Sequence, residues 1–385
     1  QVFKENSDAN ILKESGVTSF DDPNYEKYTT RLKRLRGIRD YSYRVQILDR
    51  SMSYEEVTEI FVRVNSLGAK LRSADLALAQ ITAKWRNSLE TFQKYEKSTI
   101  DDGFDVGIAI HLKNLVAFAT GQSKFKIVSS LSEDALKTSW EEAKKGMDFA
   151  LSFLKSNVGI SSPALLSSPF IIITIAMYGH NKGYKLTTAE SDSLRYWTLI
   201  ANTKARYSRG SSESFLDQDL SVLRKGEDID GLLRLLKSQV GRLDIQPDDL
   251  VGKSSRSAYF KTMFLAFRHV EASDWQDKLK ISLNHSGASH SLQFHHIFPQ
   301  AYLQRADISK EKINDICNFA FIGGKTNRGI RDKAPSEYLK DIDVKELEKQ
   351  CVPTDSTLWQ PENYDLFLKE RRKMIADRLN QFIGV

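Results

Sequence analysis

Cysteine is nearly absent: Cys317 and Cys351 are the only two in 385 residues. Two thiols cannot build a disulfide framework and no CxxC pair offers a structural zinc site, so a reducing cytoplasm is the expected compartment. Long apolar runs are missing too. The longest, Phe170 to Tyr178 (FIIITIAMY), falls well short of the ~18 residues a membrane-spanning helix needs, which excludes such a helix. The opening QVFKENSDAN lacks both an apolar leader core and an initiator Met, so the sequence is expected to start inside a longer protein. Repeats and low-complexity tracts are also lacking. What is present is ordinary globular composition. Apolar residues at 41% and charged residues at 28% exclude a disordered tail or a fibre. At ~150 residues per domain, the length predicts two or three domains.

Fifty-six Lys and Arg against fifty acids give a net charge of +6, which permits a polyanionic partner without demanding one. The cations cluster in three places. Arg31, Lys33, Arg34, Arg36, Arg39 and Arg44 form the first, Lys204, Arg206 and Arg209 the second, and Lys325, Arg328, Arg331 and Lys333 the third. Each cluster taken alone reads as a solvated face. The third lies beside a chemical motif.

Helical periodicity dominates. Leu78, Ile81, Trp85, Leu89 and Phe92 recur at three- and four-residue steps, one face of a helix with Ser73 at its N-cap and Asp75 in its first turn. Before it, residues 59–71 read as a short apolar segment and a turn around Asn65 and Gly68. Further helices are predicted near 106–120, 132–156, 163–179, 188–203, 229–241, 256–270 and 362–382, with Pro163 and Pro169 at helix starts. One stretch differs. Between residues 280 and 327, β-like runs at 281–283 (ISL), 292–298 (LQFHHIF) and 319–322 (FAFI) alternate with Gly and Ser turns, and helical pattern resumes after Gly323-Gly324.

Four of the seven histidines, His285, His290, His295 and His296, fall in this stretch. Imidazole serves equally as a cation ligand or a general base near neutral pH. On an alternating strand, neighbouring His295 and His296 face opposite sides, so both reach one site only where the strand ends or bulges. Asn318 follows His296 by 22 residues and Asn327 follows nine later.

This order, HHIFP, then Asn318, then Asn327-Arg328-Gly329, resembles the His–Asn–Asn arrangement of HNH nucleases. A second resemblance covers more of the chain. FVRVNSLGAKLRSADLALAQI (61–81) is similar to a segment of the GmrSD family of modification-dependent restriction endonucleases, the group of SspE- and BrxU-like defence enzymes. The agreement in order runs from about residue 40 to the C-terminus. The family's upstream D-G-Q-Q-R motif has no counterpart here.

The resemblance implies a mainly α fold with a small α+β unit, a ββα-metal nuclease domain. It implies a remnant of an N-terminal ParB-like nucleotide-using domain over 1–100, a helical middle domain over 101–245 and an HNH domain with flanking helices over 246–385. It implies a metal-dependent DNA endonuclease, the effector of a bacterial anti-phage restriction system. His296 would be the general base and Asn318 would hold the loop that carries it. His295 and Asn327 would ligate one divalent cation, Mg²⁺ or Mn²⁺, and a nucleotide would bind in the missing N-terminal part. Arg328, Arg331 and Lys333 are the candidate phosphate contacts, and the implied partner is DNA, modified or from phage, with no membrane. Two other classes fit the same residues: a non-catalytic DNA-binding module on an HNH scaffold, and an HNH ribonuclease toxin.

Overall fold

A computed structural model describes residues 8–43, 45, 47–52, 56–57, 60, 64, 72–283 and 292–384. The chain forms two compact units, Gln1–Val57 and Thr58–Val385. Helix accounts for 66% and strand for 3%, so helix packing makes the fold and the sheet is local to one region. No helix among the described residues is long and apolar enough to cross a membrane.

In the first unit, helices α1 (Asp8–Glu14) and α2 (Tyr25–Gly37) enclose a small core of Leu12, Val17 and Leu32. Arg36, from the first basic cluster, donates to the Asp8 carboxylate at 2.8 Å.

The second unit contains α3 (Ser73–Lys84) and α4 (Ser88–Asp101). The periodicity over 74–92 predicts one helix, and the structure breaks it at Trp85–Asn87. Leu78, Ile81, Trp85 and Phe92 still share one core, with Trp85 packed edge-on against Phe92, whereas Leu89, just after the break, is exposed. Ser73 is the first helical residue instead of the cap. The backbone N–H of Arg72 before it donates to the Asp75 carboxylate at 3.1 Å.

Five helices follow: α5 (Ile108–Thr120), α6 (Glu133–Phe153), α7 (Phe170–Asn181), α8 (Thr188–Thr203) and α9 (Ser212–Arg224), the last absent from the expected set. Local capping sets their limits. The Ser132 hydroxyl accepts from Ala135 N–H, and Thr187 and Glu190 cap each other's backbone N–H groups. The apolar run of α7 is buried on every side, which is why it shows no amphipathic period. Its Thr174 hydroxyl lies 2.6 Å from the Tyr207 hydroxyl, which donates to Asp219, itself bridged by the fully buried Arg206 at 2.8 and 3.1 Å. Lys204 is likewise buried and donates to Asp249 at 3.1 Å. The second basic cluster is therefore not a solvated face: two of its cations are enclosed by partners far along the chain.

Close approach of α6 and α7 depends on Gly179. A Cβ there would lie 2.3 Å from the Phe149 ring. Gly179→Ala should therefore destabilise by about 1–3 kcal/mol despite better helix propensity, read from the denaturant midpoint. An unchanged midpoint would show that Phe149 swings aside without cost.

Helices α10 (Ile229–Val240) and α11 (Ala258–His269) lead to the sheet. Strand β1 (Leu292–His296) pairs antiparallel with β2 (Phe319–Gly323), from Leu292 opposite Gly323 to His296 opposite Phe319, without a bulge. The expected strand at 281–283 does not form. Ile281 N–H instead donates to Ala272 O beside an isolated bridge between Ser273 and Lys280. β1 thus pairs across a long insert holding α12 (Gln300–Arg305) and α13 (Lys310–Ile313). After β2 come the short helices α14 (Gly324–Ile330), α15 (Pro335–Tyr338) and α16 (Val344–Lys349), then α17 (Tyr364–Ile383). One hydrophobic core runs from Phe104 to Ile383 and includes both faces of this sheet region.

Candidate active site

Two of the candidate residues, His295 and Asn327, meet where β1 ends and α14 begins. Gln293 and His295, two apart on β1, face α14, and Asn327 lies between them. Asn327 donates through Nδ2 to Gln293 Oε1 at 2.6 Å, and its Oδ1 sits 2.8 Å from His295 Nδ1. On the far side of the ring, His295 Nε2 is 3.3 Å from the Tyr338 hydroxyl, which donates its one proton to Ile297 O at 2.7 Å. His295 is almost fully buried, and burial pushes its pKa down to about 4, so the ring is neutral at physiological pH.

A neutral ring has one proton to place. On Nε2 it satisfies the Tyr338 oxygen, whose own hydrogen is already committed, and leaves Nδ1 and Asn327 Oδ1 as two lone pairs 2.8 Å apart. On Nδ1 it bonds Asn327 and leaves the Nε2 lone pair against the Tyr338 oxygen. Turning the Asn327 and Gln293 amides over together places a donor against Nδ1 while Nε2–H bonds the Tyr338 oxygen, so the cluster closes by hydrogen bonds alone. The 2.8 Å between Nδ1 and Oδ1 is an ordinary hydrogen-bond length, and it is also close to the ~3 Å between adjacent ligands at right angles around an ion bound at ~2.1 Å.

Asp274 fixes the start of α14. Its carboxylate accepts from Gly323 N–H and the Thr326 hydroxyl, both at 2.6 Å, and from the N–H groups of Gln276 and Asp277. Asn327 is thus held one turn into a helix tied down at its first residue.

His296 points the other way, as alternation requires. Its Nε2 lies 3.0 Å from Asn314 Oδ1 and its ring stacks at a tilt on Phe319 with centroids 4.5 Å apart. It is half-buried, and burial lowers its pKa, so it too is neutral in the physiological range. The strand ends at His296, three residues before Pro299.

Asn318 is fully buried and touches backbone only. Its Oδ1 accepts from Phe298 N–H at 2.9 Å, and its Nδ2 donates to Phe298 O at 3.1 Å and Ile313 O at 3.0 Å. It fastens the residues just after His296 and just before Asn314. Its side chain has no solvent-exposed surface, so any part it plays at the site is to hold this loop. Arg328, Arg331 and Lys333 are exposed on α14 and the turn after it.

His285 and His290 lie outside the described residues, as does most of 61–71. Among the described residues, no group of three or more His, Cys, Asp and Glu side chains gathers. Gln293, Asn314, Tyr338 and Asp274 carry no motif. Only Gln293 was signalled, by its two-residue step from His295.

No protein-family model matches the chain. It is 24% identical over 394 aligned residues to an uncharacterised protein of Methanocaldococcus jannaschii, a match covering 89% of this chain. The chain spans 65% of that protein's length.

Proposed function

We propose that the chain is the effector portion of a metal-dependent DNA endonuclease with an HNH-type site, acting in a system that restricts modified or invading DNA. The observation that carries this is the pairing of His295 Nδ1 with Asn327 Oδ1, 2.8 Å apart, at the junction of β1 and α14. An imidazole and an amide held rigidly at ligand spacing suit a cation that keeps most of its positions for water and phosphate. The order strand, strand, helix, with the His doublet ending β1, Asn318 opening β2 and Asn327 in α14, agrees with that site class.

His295 and Asn327 would hold the ion, which when bound polarises the phosphate and stabilises the departing oxygen. The absence of a carboxylate from this pair favours Mn²⁺ over Mg²⁺. His296, the last residue of β1, faces the side opposite His295, so as the base it would take the proton of the attacking water from around the strand end. Asn318 keeps the chain on either side of that base in place. Arg328, Arg331 and Lys333 supply the positive surface that positions a phosphate backbone without reading sequence.

Supercoiled plasmid incubated with Mn²⁺ or Mg²⁺ should be nicked or linearised, with Mn²⁺ the better ion, and EDTA should stop the reaction. A gel shift in EDTA without cleavage under any metal would instead support a DNA-binding module. Preferential degradation of RNA in a mixed digest would support the ribonuclease reading.

A further inference from the structure

From the contacts of the 309–314 turn we infer that Asn314 is the positioning residue of the candidate base: it takes the proton of His296 Nε2 and so presents the Nδ1 lone pair to the reaction. The inference rests on the nuclease reading for its catalytic consequence.

The amide orientation follows from the contacts on both its ends. Asn314 Nδ2 donates to Lys310 O at 2.9 Å. Turning the amide over would set its oxygen against that carbonyl, so Oδ1 is the end facing His296. An oxygen without a hydrogen 3.0 Å from Nε2 requires that nitrogen to carry the ring proton. A neutral imidazole has only one, which leaves Nδ1 as the basic nitrogen. Nδ1 has no hydrogen-bond partner among the described residues.

The mounting of Asn314 is stiff. Its backbone N–H donates to the same Lys310 carbonyl at 3.1 Å, and Ser309 caps α13 by accepting from Lys312 N–H. Tyr364 on α17 donates to Lys312 O at 2.8 Å, and Lys312 pairs with Asp365 at 2.9 Å. The neighbouring Ile313 carbonyl is held by Asn318, which also grips Phe298 on both its N–H and C=O. One buried amide thus fastens the base and its orienting partner to each other. Phe319 closes the opposite face of the ring.

The test is direct. In protein labelled with ¹⁵N at histidine, the His296 ring, assigned by comparison with His296→Ala, should show a protonated Nε2 and an unprotonated Nδ1 at neutral pH. A proton on Nδ1 in the wild-type ring overturns the inference whether or not the protein cuts DNA. Asn314→Leu should remove the slowly exchanging Nε2–H signal and lower kcat about 10²-fold with little change in KM. Asn314→Gln, which keeps both the acceptor and the donor of the amide, should restore the signal and part of the rate. Equal loss in both variants, or a Leu variant with wild-type rate and signal, would also overturn it. If the wild type cleaves nothing, the nuclease reading falls and the catalytic consequence with it, while the resonance still decides which nitrogen Asn314 holds.

Discussion

His296→Ala should lower plasmid cleavage by about 10²–10⁴-fold, the range a positioned proton acceptor contributes, while Mn²⁺ binding and the fold persist. The separation of these readouts follows from the strand alternation. His295 faces Asn327, whereas His296 faces Asn314 and Phe319 on the opposite side. Removing the second ring gives up one hydrogen bond and part of a half-buried contact, worth about 1 kcal/mol, so the thermal midpoint should fall by a few degrees at most. His295→Ala behaves differently. It leaves Asn327 and Tyr338 without their shared partner inside a buried site, so cleavage, cation affinity measured by calorimetry and stability should all decline together. Near-normal cleavage by His296→Ala would falsify the base assignment and move the search to another acceptor.

What could be read from the sequence follows a physical divide between local and distant interactions. The capping pair Thr187–Glu190 and the cap at Ser132 act within three residues, and the helices they open start where the pattern puts them. The His–Asn–Asn order was legible because β1, β2 and α14 are each short and locally patterned. Pairing was less legible. The β-like runs at 281–283 and 319–322 read alike as strands, and nothing local shows that β1 takes the distant one. Lys204 and Arg206 looked like surface charge for the same reason: Asp249 and Asp219 complete them from helices beyond any local window. Asp274, 49 residues from the Gly323 N–H it holds, and Tyr338, 43 residues from His295, belong to the same class. Groups that carry chemistry leave motifs. Apart from Asn318, groups that only hold them in place leave none.

The largest stability effect is expected at such a residue. Arg371 on α17 is fully buried and donates to four backbone carbonyls: Cys317 at 2.6 Å, Phe319 at 2.7 Å, and Cys351 and Gln350 at 3.0 Å. Two of these carbonyls flank Asn318, so the guanidinium fixes from behind the residue that fastens the His296 loop. Burying an unpaired cation costs several kcal/mol, and the charge-assisted bonds to four acceptors offset it. Arg371→Met keeps the apolar stem and removes the cation, but leaves four buried carbonyls without a donor. At about 1–3 kcal/mol for each unsatisfied group the loss should be 4 kcal/mol or more, seen as a large fall in the denaturant midpoint and faster amide exchange across β2. Arg371→Lys should recover only part of this, because one ammonium with three donors cannot span the four acceptors that a planar fork reaches. A methionine variant with the wild-type midpoint would mean that the carbonyls find other donors. The anchoring of Asn318 would then have to come from the sheet alone. If the loss is as large as expected, α17 supports the candidate site without contacting it, and cleavage should fail in step with stability, unlike the clean catalytic loss at His296.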